Sequence, residues 1–405
     1  MGGVRPVSIY CCAKFTVATV LTLSCLLGFI FRASHDSSES SRPPSFLQMT
    51  SSRTRTWGKA QLRKASACPA ELQSRHPDCR VVNVRETLHL GKSIRPREHT
   101  AMVWSALHPA LSSERDSIIG FKPAMLDVES RCPGESKQVS LVHHINIYAY
   151  DAPTPLSAGR AYVVDGEVPE TPVGIDEKSM RMLASHDKEA GDYFLPDGYG
   201  IPVGKHALME RHFLFPKCWD YDDDIVESSG MDLYVTSSHS LKPAALVGAL
   251  NFNMNVQPQQ GPVEWITRVS AETLRSLISD NEEWPEILAV HLHTHDVARR
   301  KFFEILNEDG SLAFRSTNEK AGYGLQEQSF FNLPEKGWPR LQIHAGQQLL
   351  QHCLFDSDHL KEPVVYGLGW GQEMCAPLLV IGGVRDLAES MTGAAPLSHY
   401  SHYSI

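Results

Sequence analysis

From about residue 80 onward the chain is a succession of short apolar runs rich in β-branched and aromatic residues. Leu141–Tyr150 (LVHHINIYAY), Met231–Thr236 (MDLYVT) and Pro377–Gly382 (PLLVIG) are representative. Clusters of Gly, Pro and Asp separate them, as in PDGYGIPVG, NEDG and PEKG. Runs of that length fit strands, and closely spaced turn signals between them suggest an all-β sandwich or barrel. One helix-like stretch, Ala271–Ser279, interrupts the pattern. The body contains neither an internal repeat nor a long heptad pattern.

Within this β texture, Leu292–Val297 reads Leu-His-Thr-His-Asp-Val. Alternate residues of a strand share a face, so His293 and His295 project together and can hold one metal ion without help from a turn. Other residues could join such chemistry. His143 and His144 are adjacent at the start of a strand-like run. Neighbours in a regular strand point to opposite faces, so their sharing of a metal requires a local twist or bulge. His212 lies in another strand-like run, Leu208–Pro216, and Met374 stands beside Cys375 in GQEMCAPLL. A thioether is a soft ligand suited to Cu(I), so two imidazoles and a thioether suggest copper rather than zinc. Each residue also has an ordinary structural use: Met in packing, His in a core or on a surface. The chain has 19 histidines, and His206, His291, His344 and His352 are further candidates by position.

Charge divides the chain. Residues 1–67 carry nine Lys/Arg against two acids, and the remainder carries 29 against 45, for a net charge of −9 overall. An acidic body argues against nucleic acid as a partner, because phosphate binding needs clustered cations. Phe15–Phe31 is an uncharged run of 17 residues between Lys14 and Arg32. That length is short for a membrane span and slightly long for a signal-peptide core. Either reading sends the remainder into the secretory lumen or outside the cell. Arg32 makes a poor cleavage site, which favours an uncleaved signal anchor and a single-pass type II membrane protein, with cleavage at Ala33-Ser34 as the alternative. Residues 35–66 are rich in Ser, Arg and Pro and read as a flexible basic stalk. Six cysteines fall in the body, at Cys68, Cys79, Cys132, Cys218, Cys353 and Cys375. An even number in a secretory context suggests three disulfides, with Cys68–Cys79 a local loop and Cys132 and Cys218 left to pair or stay free. The acidic loop Trp219–Asp224 (WDYDDD) is either a solvated loop or an attractor of a cationic substrate.

At its metal-binding candidates the sequence resembles the copper type II, ascorbate-dependent monooxygenases. Ile118–Met125 (IIGFKPAM) followed by Leu141–Tyr148 resembles the family's first copper motif, and Leu208–Pro216 the strand with that site's third histidine. Ser228–Thr236 resembles the next family strand. Leu292–His295 resembles the second copper motif, and Ile343–Leu349, Cys353 and Glu373-Met374-Cys375 its closing blocks. The resemblance implies two tandem antiparallel β-sandwich domains of jelly-roll type. It places His143, His144 and His212 on one copper, and His293, His295 and Met374 on a second that activates dioxygen. It implies ascorbate as reductant, a small-molecule substrate hydroxylated at a C–H bond, and a Cys353–Cys375 bridge.

The resulting expectation has a signal anchor or signal peptide in 1–34 and a stalk in 35–78. An N-terminal copper domain follows in 79–240, a C-terminal copper domain in 241–384 and a tail in 385–405. The rival expectation is a luminal copper-binding module without catalysis. Departures from the family pattern bear on substrate. Peptide-amidating members carry an arginine two residues before the His-X-His pair, where this chain has His291. They carry Asn and Tyr soon after the Met-Cys pair, where this chain has Ala376 and Leu378. A carboxylate needs charge-assisted donors, so amidation of peptidylglycine is not expected. The family's Gln two residues before the third histidine is Glu210 here.

Overall fold

The structure is a computed structural model. It describes residues 67–90, 100–106, 116–129, 138–150, 161–164, 175, 180–187, 191–204, 206–215, 225–238, 240–249, 253–276, 284–295, 297–316, 330–334, 338–367, 371–383 and 399–404. The chain divides into two units, Met1–Phe46 and Leu47–Ile405, and every described residue lies in the second. The apolar run Phe15–Phe31, the stalk to residue 66, Cys132, Cys218 and Trp219–Asp224 lie outside the described residues. No helix among the described residues is long and apolar enough to cross a membrane.

The class is all-β, and the helices among the described residues are the six-residue Ala70–Arg75 and Ala271–Ser276. The second helix occupies the start of the stretch expected to be helical. Ser270 caps it, with its Oγ accepting from the Thr273 N–H at 3.0 Å.

Three large sheets build the fold. A ten-stranded sheet runs through Arg80–Arg85, Gly230–Thr236, Ser117–Ala124, Tyr199–Pro202, Lys242–Gly248, Cys375–Gly382, Glu286–Thr294 and Phe331–Asn332, with two short strands beside this path. A five-stranded sheet from the first half has the order Ala161–Val164, Thr100–Ala106, His206–Leu214, Val142–Tyr150, Met180–Asp187. A five-stranded sheet from the second half has the order Leu312–Arg315, Ala298–Leu306, Gln348–Asp356, Pro262–Ser270, His399–Ser404. The last strand comes from the C-terminal tail. The strands of the two halves therefore share one sheet. They meet where Tyr199 and Gly200 pair in parallel with Lys242 and Pro243.

Burial explains why the middle of that sheet is so apolar. Ala244 and Leu246 enter one core together with Val380, Ile145, Ile147 and Phe213. Their neighbours Ala245 and Val247 enter the other, with Leu379, Ile381, Val269 and Phe303. A strand covered on both faces needs apolar residues at consecutive positions, which is why PAALVG and APLLVIG do not alternate. Such a strand also resists slippage, because either face would lose its fit.

The His206–Leu214 strand is anchored by a buried ion pair. Arg211, wholly buried, lies 3.3 Å from Glu227 and donates to the Glu86 carbonyl at 2.7 Å. Burial pushes the Glu227 carboxyl above its usual range and the Arg211 guanidinium below its own, while each charge opposes the other's shift. Arg211 sits between Glu210 and His212, so this clamp orients a strand that also carries site residues. Arg211→Ala leaves Glu227 buried without its partner and should destabilise the protein by about 3–5 kcal/mol in urea unfolding. A loss below about 1 kcal/mol would show that the clamp is dispensable.

Candidate metal centre

The first cluster depends on a defect in strand pairing. His212 lies directly opposite His144, but the next residue, Phe213, lies opposite Val142. His143 is the extra residue of a β-bulge. The bulge solves the problem of two adjacent histidines, because it turns His143 toward the side on which His144 and His212 already stand. The ring centroids are 4.8 Å apart for His144 and His212, 5.4 Å for His143 and His212, and 5.6 Å for His143 and His144. One ligand nitrogen from each lies within 4.8 Å of the others, close enough for the three to hold one metal ion. His143 and His212 are buried, and the His144 side chain is 11% exposed.

The second cluster lies on the Glu286–Thr294 strand and its end. His293 and His295 have ring centroids 5.1 Å apart and are both buried. The neighbouring Cys375–Gly382 strand pairs with it so that His293 lies opposite Ala376 and Thr294 opposite Cys375. Just beyond this last pair, the backbone N–H groups of His295 and Met374 both reach the same oxygen of Glu373, which holds the two residues near each other. Met374 is buried in an apolar cluster with Ala376, Met102, Trp104 and Leu208. Cys375 is bonded to Cys353, and Thr267 donates through its hydroxyl to the Cys375 carbonyl at 2.7 Å. The backbone next to Met374 is thereby fixed to two strands of the facing sheet. Cys68 and Cys79 form a second disulfide among the described residues.

Two residues to which the sequence alone assigns no role lock this corner. Glu373 is fully buried, and its carboxylate accepts from the backbone N–H groups of His295, Val297 (2.9 Å) and Met374 (2.8 Å). Burial pushes this carboxyl above the usual range, against the downward pull of His295 and of the N–H donors. Gln372 accepts at its carbonyl from His295 Nδ1 at 2.9 Å. The proton must then sit on Nδ1, which leaves the Nε2 lone pair available. Nε2 is buried and has no hydrogen-bond partner among the described residues. An orphaned buried imidazole nitrogen is costly in a protein interior, and a metal ion is a natural occupant of that lone pair.

The two clusters face each other. The His143 ring lies 5.3 Å from that of His295 and 6.5 Å from that of His293. His291, completely buried, continues the row, 5.9 Å from His293 and edge-on to Phe330 at 4.9 Å. The other histidine candidates lie elsewhere. His206 and His344 are exposed. His352 has its two ring nitrogens 2.9 Å from Glu264 and 3.3 Å from Glu304, and it stacks on Phe302 at 4.4 Å. Carboxylates at opposite ends of one ring cannot converge on a single ion.

With this geometry in place, sequence comparison decides the family. Residues 245–380 match the copper type II ascorbate-dependent monooxygenase, C-terminal domain. This part of the chain is similar to that family's C-terminal domain. The matched segment contains His293, His295, Cys353, Glu373, Met374 and Cys375, but not His143, His144 or His212. No curated protein matches the sequence. Among solved structures, similarity extends to the major capsid protein P2 of bacteriophage PM2. That pairing has 10% identity, covers 76% of this chain and 98% of that chain, and has a TM-score of 0.24. It extends also to the VP2 subviral particle of infectious bursal disease virus, at 10% identity, 76% and 73% coverage and a TM-score of 0.21. At these scores neither likeness carries an argument.

Glu373→Ala removes the carboxylate that three backbone donors share. Leaving buried N–H groups unsatisfied costs about 1–3 kcal/mol each where water cannot replace the carboxylate. Urea unfolding should show a loss of at least about 2 kcal/mol, with weaker copper binding at His293 and His295. Unchanged stability and unchanged binding would contradict the role given to Glu373.

Proposed function

We propose that this chain is a copper-dependent monooxygenase that hydroxylates a C–H bond of a small organic substrate, using dioxygen and a one-electron reductant such as ascorbate. The observation that carries the reading is the pairing of a family match over 245–380 with a buried, unpartnered His295 Nε2 beside Met374. In this reading His143, His144 and His212 hold one copper, and His293, His295 and Met374 hold a second. The domains are 79–240 and 241–384. The disulfides Cys68–Cys79 and Cys353–Cys375 support a secretory or extracellular location.

Bound copper would supply one-electron storage at the first set and dioxygen chemistry at the second. The chain's own contribution is positional. The Gln372 carbonyl holds the His295 proton on Nδ1 and so presents Nε2. Glu373 and the Cys353–Cys375 bridge hold the Met374 backbone alongside. His143, His212, His293 and His295 are all buried, so their rings are shielded from bulk solvent. His291 stands where amidating relatives keep an arginine, and Ala376 and Leu378 add no polar donor. A substrate without a free carboxylate suits that wall better than a glycine-extended peptide.

A second reading, a luminal copper-binding module without catalysis, draws support from the 5.3 Å approach of His143 to His295, which leaves little room between the rings. Oxygen uptake decides between them. The full chain loaded with copper should consume dioxygen with ascorbate in the presence of an accepted amine or catechol. Copper binding with no uptake over such a panel favours the module.

Copper titration should saturate at two ions, with His143→Ala and His293→Ala each removing one. Saturation at one ion, abolished by either change, would indicate a single shared site. Met374→Ile should lose turnover and carbon monoxide binding to the reduced protein. His212→Ala should lose turnover yet keep carbon monoxide binding, because the His293–His295 site remains intact. Met374→His should keep most copper and lose turnover, since imidazole binds copper well but disfavours Cu(I) relative to a thioether. Unchanged carbon monoxide binding and turnover in both Met374 variants would remove Met374 from the ligand set.

A further inference from the structure

Glu210 stands out among the residues around the first histidine cluster. It is a buried acid, 4% exposed, on the same strand as His212 and two residues before it. Alternation along the strand puts its side chain on the cluster's face. One carboxylate oxygen, Oε1, lies 3.0 Å from His144 Nε2 and accepts from Asn146 Nδ2 at 3.3 Å. The other, Oε2, accepts from the Tyr148 hydroxyl at 2.9 Å. Asn146 is itself oriented, because its Oδ1 accepts from Ser185 Oγ at 2.7 Å, which turns its amide nitrogen toward Glu210. Tyr148 is held by its stack on Trp104, with centroids 5.6 Å apart. Every neighbour in this set donates, so the site is built to receive an acceptor-only carboxylate.

The consequence falls on His144. A carboxylate at Nε2 requires the proton there, so Nδ1 is the nitrogen left to join His143 and His212. A hydrogen bond from imidazole to carboxylate also gives the ring partial imidazolate character and raises the basicity of the opposite nitrogen. Three neutral imidazoles alone would favour the monovalent ion more than the same set with a buried negative partner. A glutamine, the residue of the family's pattern, would make the hydrogen bond without the charge.

We propose that Glu210 is a positioning residue that acts through His144 to stabilise Cu(II) over Cu(I) at the His143–His144–His212 site, lowering that site's reduction potential. This rests on the reading of the three histidines as a copper site. A lower potential makes the first site a stronger electron donor to the second and a poorer acceptor from ascorbate. The Tyr148 hydroxyl moderates the effect by sharing the carboxylate with His144.

The test uses the full chain carrying His293→Ala and His295→Ala, so that only the first site reports. Copper alone is the probe, and Cu(II) and Cu(I) affinities are measured separately by competition with chelators. Glu210→Gln should weaken Cu(II) binding about 10- to 100-fold while changing Cu(I) binding far less. Each tenfold change in the affinity ratio corresponds to about 59 mV for one electron, here an upward shift. Tyr148→Phe should shift the ratio the opposite way, and it decides the matter alone if Glu210→Gln does not fold. An unchanged ratio in both variants, or an equal loss of both oxidation states, would overturn the proposal and reduce Glu210 to a structural acid. Failure of the parent protein to bind copper at all would instead overturn the reading of the site, and this inference with it.

Discussion

The pairing of Glu286–Thr294 with Cys375–Gly382 is the interaction on which the rest depends. Its register decides what stands on each face of the shared sheet. One face presents His291, His293 and His295 in a row, with Ala376 and Leu378 opposite. The other presents Leu292, Val290, Leu379 and Ile381, which are buried against the second half's five-stranded sheet. A slip of one residue would exchange the faces, burying imidazoles in an apolar core and exposing leucines to the histidines of the first half. Glu373 and the Cys353–Cys375 bridge sit at the end of this pairing, where fraying would otherwise be easiest.

The first half meets this face with a different device. Its three histidines come from two strands, and a bulge brings the third ring into place. The Arg211 clamp holds the same strand from behind, since Arg211 and His212 point to opposite sides. The two clusters are therefore built on rigid paired strands rather than on loops. A buried acid stands beside each set but is used differently: Glu210 meets an imidazole nitrogen of His144 directly, whereas Glu373 binds the backbone N–H groups of His295, Val297 and Met374, and the His295 ring meets the Gln372 carbonyl.

Much of this was readable in the chain. The spacing of His293 and His295 alone predicts a shared face, and adjacent His143 and His144 demand a bulge. Strand texture gave the all-β class, and the apolar strands PAALVG and APLLVIG carry the mark of two-sided burial. The rest depends on contacts between residues far apart in sequence. Glu373 looks like an ordinary polar residue in GQEMCAPLL until the backbone N–H groups of His295 and Val297 close on it. The closeness of His143 to His295 arises only because both halves contribute to one sheet, whereas tandem sandwiches need not share one. His352 has the local context of a ligand, and only the fold reveals its two carboxylate neighbours. The Cys68–Cys79 loop was foreseeable from proximity, but Cys353–Cys375 was implied by family resemblance.

The central claim is that the two histidine sets proposed to bind copper face each other. Electron paramagnetic resonance of the Cu(II)-loaded protein addresses it directly. Spectra are recorded for the full chain and for the His143→Ala and His293→Ala variants, each of which retains one set. Ring centroids 5.3 Å apart between the sets place the two spins close enough to interact. The doubly loaded protein should then give a spectrum broadened or diminished relative to the sum of the two singly loaded variants. A spectrum equal to that sum, at full double intensity, would contradict the facing arrangement.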